Sequence, residues 1–298
     1  MSCLAIAKYL CLQILTLLHR FFDNKVAGVR ASTYGTDLPA FMPVPVGCEL
    51  WLFITMSPSD AVELVKKLPD KQCASDPLPT WLLKQSVDVL TPFLSRLINW
   101  SLQSWSVPSM FKSAYITPLL KKADLDSADP KSYRPISNLS VILTLLERVV
   151  SKQLLRYLKD NDLLPDLQSA LRAHHLTETA VLKVLSDILL ALDSGNLAIL
   201  TLLDLSAAFD SVDHHTLRKS YGLNGKVIDW FTLYLNDRLQ YIRTTTSSSM
   251  PAAVAYEVPQ GSVLGPILFL LYTADLLQLI KCHHLMPHGY ADDTQIYR

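Results

Sequence analysis

Apolar residues recur at helical spacing along the chain and predict several amphipathic helices. The longest covers residues 141–159, and its apolar side is formed by Leu145, Val149, Leu154 and Leu158. Its charged faces consist of Glu147, Arg148, Lys152 and Lys159. A second helix begins at Thr177 and closes near Gly195. An earlier helix starts at Ser57-Pro58, runs through Leu68 and stops at Pro69.

Shorter apolar runs predict strands between these helices. Residues 197–203 form a continuous apolar run, which is typical of a strand buried on both faces and which ends at Asp204. Residues 115–120 predict a strand at a sheet edge, because Pro118 cannot donate a backbone hydrogen bond to a central ladder. Helices combined with a small sheet favour an α+β fold.

Composition indicates a globular chain without a strong electrostatic field. Half of the 298 residues are apolar, which is enough to bury a sizeable core, and the tryptophans Trp81, Trp100 and Trp105 are expected in it. The 27 basic residues balance the 27 acidic ones, so no overall positive charge attracts nucleic acid, which counts against a complete polymerase. The five cysteines show no paired short spacing and fit a reducing, intracellular compartment.

Two adjacent carboxylates near the end of the chain need explanation. They belong to the stretch Tyr290-Ala291-Asp292-Asp293, at a predicted corner between two strands. Unpaired carboxylates are costly to bury, so they require either cations or solvent. A Mg2+ ion takes hard oxygen ligands of this kind, and the pair is therefore a candidate half of a phosphoryl-transfer site. A solvated Asp-Asp turn is the alternative interpretation.

Three stretches together resemble the palm motifs of reverse transcriptases. In chain order they are the run from Asp204 through Phe209 to Asp210, the glycine- and proline-rich turn at residues 258–266 that opens a helix at Pro266, and the Asp292-Asp293 corner. The closest likeness is to non-LTR, LINE-type retrotransposons of the chicken-repeat-1 kind, over roughly residues 21 to 298. Three motifs in order with this spacing are far more specific than an isolated Asp-Asp pair.

The resemblance implies an α+β fold made of the fingers and palm of a reverse transcriptase. A small antiparallel sheet would carry the aspartates and pack on helices. The implied division of the chain is an apolar helix and irregular linker at 1–56, a helical region with the fingers at 57–195, and a partial palm at 196–298. Because only five residues follow Asp293, the sequence predicts a palm truncated at its carboxyl end and lacking a thumb.

The resemblance also implies the catalytic set. Asp204, Asp292 and Asp293 would act as catalytic residues and as ligands of two Mg2+ ions, with Mn2+ as an alternative. Asp204 and Asp292 are the stronger ligand candidates, and Asp293 is the weaker one.

Four further residues match the family's substrate contacts. Arg172, in the segment Gln168-Ser169-Ala170-Leu171-Arg172, is expected to bind the phosphates of the incoming nucleotide, for which a guanidinium is well shaped. Phe209 would lie beneath the sugar and exclude a ribose 2′-hydroxyl. Gln260 and Gly261 would contact the nucleotide in a turn where glycine permits close approach.

The implied function is that of an RNA-directed DNA polymerase acting by two-metal nucleotidyl transfer. Its partners would be an RNA template, a DNA primer and deoxynucleotides, and no specific protein partner is indicated. The apparent truncation predicts weak or absent activity for this chain. A non-catalytic remnant that binds nucleic acid or protein is one alternative. Residues 4–22 leave a second, a membrane-associated protein, although charges interrupt the roughly 20 apolar residues that a span needs.

Overall fold

Most of the chain past residue 43 is described by the computed structural model. It describes residues 24, 27–28, 31, 44–70, 76, 78–126, 129–164, 168–169, 176–204, 214–242, 249–254, 258–259, 261–291 and 293–297. The helices are α1 (Pro58–Lys66), α2 (Thr80–Gln85), α3 (Val87–Ser104), α4 (Val141–Asp160), α5 (Thr177–Asp193), α6 (His214–Tyr221), α7 (Gly225–Leu235) and α8 (Leu264–Cys282). The strands are β1 (Ser113–Leu120), β2 (Tyr133–Asn138), β3 (Leu200–Asp204), β4 (Arg238–Ile242), β5 (Ala252–Val254), β6 (Met286–Tyr290) and β7 (Asp293–Tyr297). This combination confirms the predicted α+β class.

The predicted helix boundaries agree well with the structure, because local capping chemistry sets them. Ser57 caps α1: its hydroxyl accepts from the Asp60 backbone N–H, and the Asp60 carboxylate accepts from the Ser57 backbone N–H. The helices predicted from residue 141 and from residue 177 correspond to α4 and α5. Ser140 caps α4 in the same way by accepting from the Leu143 N–H.

Seven strands form two separate sheets among the described residues. One has the order β2-β1-β4-β5, in which β1 runs antiparallel to β2 and parallel to β4. The prediction that β1 is an edge strand is therefore wrong. The reason is that β4 pairs only with Ser113–Ile116, so Pro118 lies past this pairing and needs no donor on that side. The other sheet is antiparallel and has the order β3-β7-β6.

The buried core lies mainly between α1, α3, α4, α7 and the first half of α8. Trp230 on α7 lies at the centre of this core and is 0% exposed, and its ring stacks on that of Tyr234 with the ring centroids 5.2 Å apart. Phe53 and Phe231 meet the same ring edge-on. Helix α8 is long and apolar enough to cross a membrane by composition alone, but half of its most apolar stretch is buried in this core.

Two of the three tryptophans expected in the core lie outside it. Trp81 is 52% exposed and Trp100 is 48% exposed, whereas Trp105 packs partly buried against the core. The inward side of α3 is made of other residues, among them Leu94, Ile98 and Leu102, so the helix turns Trp100 away. The prediction failed because it used residue size instead of helical position.

Candidate active site

The antiparallel β3-β7-β6 sheet joins two of the three predicted metal ligands. Asp204 is the last residue of β3, and it pairs directly across the ladder with Asp293, the first residue of β7. Directly paired residues of antiparallel strands lie on the same face, with Cβ atoms about 5 Å apart. The backbone register therefore places positions 204 and 293 side by side, and the Asp293 side chain is exposed.

The pairing of two acidic positions fits a divalent cation. Like charges directly opposite each other destabilise a sheet unless something compensates them. Carboxylate oxygens are hard ligands that suit Mg2+ and Mn2+. Asp292 is the residue before Asp293 and lies outside the described residues. The donor chemistry at positions 204 and 293 thus matches the metal that the sequence predicts.

A two-residue turn connects β6 to β7 at this site. Tyr290 pairs with Asp293, so two residues, of which Ala291 is the first, join the strands. Ala291 has a backbone φ of 54°. A left-handed conformation costs a residue with a Cβ atom roughly 1–2 kcal/mol, and it is kept only where neighbouring groups hold it. The turn at the acidic corner is therefore a place where backbone strain is concentrated.

Gln168 holds this strained turn from outside the hairpin. The Gln168 side chain is buried, its Nε2 donates to the Ala291 carbonyl at 3.3 Å, and its Oε1 accepts from the Ala291 N–H at 3.1 Å. The next residue, Ser169, donates its backbone N–H to the Gly289 carbonyl at 2.8 Å. The segment around Gln168 is thereby bound to both the edge of β6 and the turn.

Helix α5 supports the same sheet through a carboxylate at its centre. The hydroxyl of Tyr297 on β7 donates to Asp187 Oδ2 at 2.6 Å, and Lys183 lies 2.5 Å from the same oxygen. Burial opposes ionisation of Asp187, but the hydrogen bonds from Lys183 and Tyr297 outweigh it and hold the pKa of this carboxyl below its usual value. A charged Asp187 thus anchors β7 to α5.

The turn before α8 is shaped for close packing. Gly261 has a φ of +110°, and a Cβ atom placed on it would lie 3.1 Å from the Ser137 carbonyl oxygen. The Ser262 hydroxyl accepts from the Gly265 N–H at 2.9 Å, which satisfies one of the free donors at the start of α8. Position 261 therefore favours glycine mainly for its backbone angle, and a side chain there would also crowd β2.

The buried side chain of Glu147 links this turn to the core through hydrogen bonds. Its side chain is 0% exposed; Oε1 accepts from the Tyr234 hydroxyl at 2.6 Å, and Oε2 accepts from the Val263 N–H at 2.8 Å. The assignment of Glu147 to a charged outer face of α4 is therefore wrong. Burial raises the pKa of this carboxyl, although both hydrogen bonds act in the opposite direction.

Glu147→Gln is expected to make stability less sensitive to rising pH. Because the folded-state pKa of Glu147 is raised, its contribution is complete below the unfolded-state pKa of about 4.3 and is lost as the pH rises through the folded-state value. Glutamine keeps the shape but cannot ionise; its carbonyl oxygen can accept from the Val263 N–H, while its NH2 group donates to the Tyr234 hydroxyl oxygen and so reverses that hydrogen bond. Urea unfolding of both proteins across the acidic and neutral range measures the difference. Equal slopes with pH would contradict a raised pKa.

Four of the predicted site residues lie outside the part of the chain that the structure describes. Arg172, Phe209, Gln260 and Asp292 lie outside the described residues, and only the backbone of Asp204 is described. The structure thus brings together positions 204 and 293, and it places Gly261 in a packed turn beside β2.

Sequence reasoning missed Gln168 and Glu147 as groups that support the two turns. A signal for Glu147 was present, because four residues separate it from Leu143 and seven from Leu154, both of which are fully buried. A carboxylate at that helical position faces the core. Gln168 had no such signal, because its partner is 123 residues away in the chain.

Comparison with known proteins gives consistent matches. The family described as reverse transcriptase (RNA-dependent DNA polymerase) matches residues 120–298. The chain is 33% identical over 251 residues to a probable RNA-directed DNA polymerase from transposon BS of Drosophila melanogaster, covering 80% of this chain and 27% of that protein. It is 27% identical over 241 residues to the RNA-directed DNA polymerase from mobile element jockey of the same species, covering 78% of this chain and 26% of that protein. The chain thus spans about a quarter of the length of these relatives.

Proposed function

The chain belongs to the reverse transcriptases of non-LTR, LINE-type retrotransposons, and we propose that its β3-β7-β6 sheet carries the nucleotidyl-transfer site of an RNA-directed DNA polymerase. The observation that carries this proposal is the direct pairing of Asp204 with Asp293 beside the turn that contains Asp292. Polymerases of this chemistry use two divalent ions held by carboxylates.

The proposed roles follow from the carboxylates and from the family motifs. Asp204 and Asp292 are the principal ligands of Mg2+ or Mn2+, and Asp293 completes the set. When bound, the ions would lower the pKa of the primer 3′-hydroxyl and compensate the negative charge of the leaving pyrophosphate. The protein's own contribution is to hold three acidic side chains at one corner of a sheet that α5 and Gln168 keep in place.

Four other residues are proposed to bind the incoming nucleotide. Arg172 pairs with its phosphates, which a planar guanidinium can contact with two nitrogens at once. Phe209 lies beneath the sugar and selects deoxyribose by excluding a 2′-hydroxyl. Gln260 and Gly261 contact the nucleotide from the turn before α8, whose position Glu147 sets through the Val263 N–H.

We assign the palm to residues 196–298 and the fingers, with the preceding helices, to residues 57–195. The β3-β7-β6 sheet with its acidic corner would be the catalytic part of the palm. The β1-β2 hairpin supports a role of the fingers in binding the template. Its tip exposes four cations, namely Lys121, Lys122, Lys131 and Arg134. Lys and Arg side chains contact phosphates without regard to sequence, and here the exposed carboxylates of Asp124 and Asp126 lie in the same tip.

Primer extension by the purified chain tests this function. On an RNA template with a DNA primer, Mg2+ and deoxynucleotides, we expect weak extension that EDTA abolishes and excess Mg2+ restores, because the carboxylates need the ion to act. A matched reaction with ribonucleotides should be much slower. Salt-dependent binding of the primer-template without any extension would contradict the catalytic proposal and favour the non-catalytic remnant.

A further inference from the structure

The acidic turn needs an external support, because its own sequence does not favour its shape. Ala291 adopts a left-handed φ of 54°, which a residue with a Cβ atom rarely adopts. The hairpin pairing ends at Tyr290 and Asp293, so the ladder itself leaves the Ala291 backbone groups without strand partners. The groups that bind Ala291 therefore help to fix the backbone of the turn between β6 and β7.

The Gln168 amide supplies partners to both of these backbone groups. One side chain donates to the Ala291 carbonyl at 3.3 Å and accepts from the Ala291 N–H at 3.1 Å. Two hydrogen bonds to a single residue constrain its rotation as well as its position. Gln168 is 3% exposed, so water competes little for its amide.

Gly289 provides the space that this contact requires. A Cβ atom at position 289 would lie 2.8 Å from Gln168 Nε2, closer than real Cβ atoms approach other atoms, and 3.2 Å from Gln168 Cδ, which is a tight contact. The backbone bridge between Gln168 and Gly289, with the Ser169 N–H bound to the Gly289 carbonyl at 2.8 Å, fixes the amide over β6. Glycine at 289 and glutamine at 168 therefore form a complementary pair.

We propose that Gln168 is a positioning residue of the nucleotidyl-transfer site, whose amide holds the Ala291 backbone and thereby fixes the turn between β6 and β7 beside the proposed metal ligands. The inference rests on the function proposed above. Groups that orient metal ligands typically change metal affinity by about 10- to 100-fold when they are removed.

Binding of Mn2+ to the purified chain, followed by the electron paramagnetic resonance of the free ion, tests this role without requiring turnover. Gln168→Met keeps the length of the side chain and removes both polar atoms. We expect it to weaken Mn2+ binding by about 10-fold or more. Hydrogen exchange at the Ala291 amide should become faster in the same variant, because its acceptor is lost. Ser169→Ala is a comparison at the neighbouring position: it removes the contact of Oγ with His288 Nε2 at 3.0 Å but keeps both contacts of Gln168 with Ala291.

A second variant, Gly289→Ala, disturbs the contact between Gln168 and Ala291 by a change on β6. Gly289→Ala leaves Gln168 unchanged but displaces its amide, so it should lower Mn2+ affinity on its own and add little in a Gln168→Ala background. If Gln168→Met does not fold, the Mn2+ affinity of Gly289→Ala tests the proposal in its place. Parental Mn2+ affinity in the folded variants would overturn the proposal. If Asp204→Asn and Asp292→Asn also bind Mn2+ like the parent, the proposed function itself fails, which is a distinct result.

Discussion

Asp204→Asn is expected to lower Mg2+-dependent primer extension by more than about 100-fold, because it removes a proposed metal ligand and not merely a group that orients one. Asparagine nearly preserves the volume of the side chain, and residue 204 keeps its backbone pairing with Asp293. The lost charge is therefore the main change at the site. Asp292→Asn should have a comparable effect, and Asp293→Asn a smaller one.

The control for this prediction is an aspartate on the surface of a helix. Asp193 is exposed at the end of α5, and Asp193→Asn should extend primers at the parental rate. Steady-state rates at several Mg2+ concentrations separate weakened metal binding from lost chemistry. Parental rates in both Asp204→Asn and Asp292→Asn would refute the assignment of these residues to the metal site.

Local patterns predicted the elements that depend on neighbouring residues. The apolar side of α4 was read from its spacing, and its members Leu145, Val149 and Leu154 are buried. The Ser57 cap was visible because the hydroxyl and the backbone N–H that it binds lie only three residues apart. Such signals need no knowledge of the tertiary structure.

The environment of β3 shows where local patterns stop being informative. The apolar run before Asp204 predicted a strand buried on both faces, yet Leu200 is 46% exposed and Leu202 is 71% exposed. The strand lies at the edge of the β3-β7-β6 sheet, with β7 as its only strand neighbour among the described residues. Apolar composition indicates that a strand forms, but the position of that strand in the sheet depends on residues far along the chain.

The supporting contacts of the site were unpredictable for the same reason. Glu147 meets its partners Tyr234 and Val263 at separations of 87 and 116 residues. The chemistry-bearing motifs were recognisable because each is short and contiguous. The groups that hold those motifs in place come from distant segments, and only the folded chain brings them together.

Trp230→Ala is expected to destabilise the chain by about 3–5 kcal/mol, the usual cost of removing a fully buried aromatic side chain. Trp230 is 0% exposed, contacts the rings of Phe53 and Phe231 edge-on, and donates its Nε1–H to Ser101 Oγ at 3.2 Å. Alanine would leave a cavity at the centre of this cluster. The shift of the urea unfolding midpoint measures the loss.

Trp100→Ala removes the same side chain from a position that is 48% exposed, and it should cost less than about 1 kcal/mol. Equal destabilisation by the two variants would contradict the central position of Trp230. Trp230→Ala should also disturb the candidate active site, because the Trp230 ring stacks on Tyr234 and the Tyr234 hydroxyl donates to Glu147. Glu147 in turn accepts a hydrogen bond from the Val263 N–H. Removal of the Trp230 ring should therefore weaken the contacts that hold the turn containing Gly261.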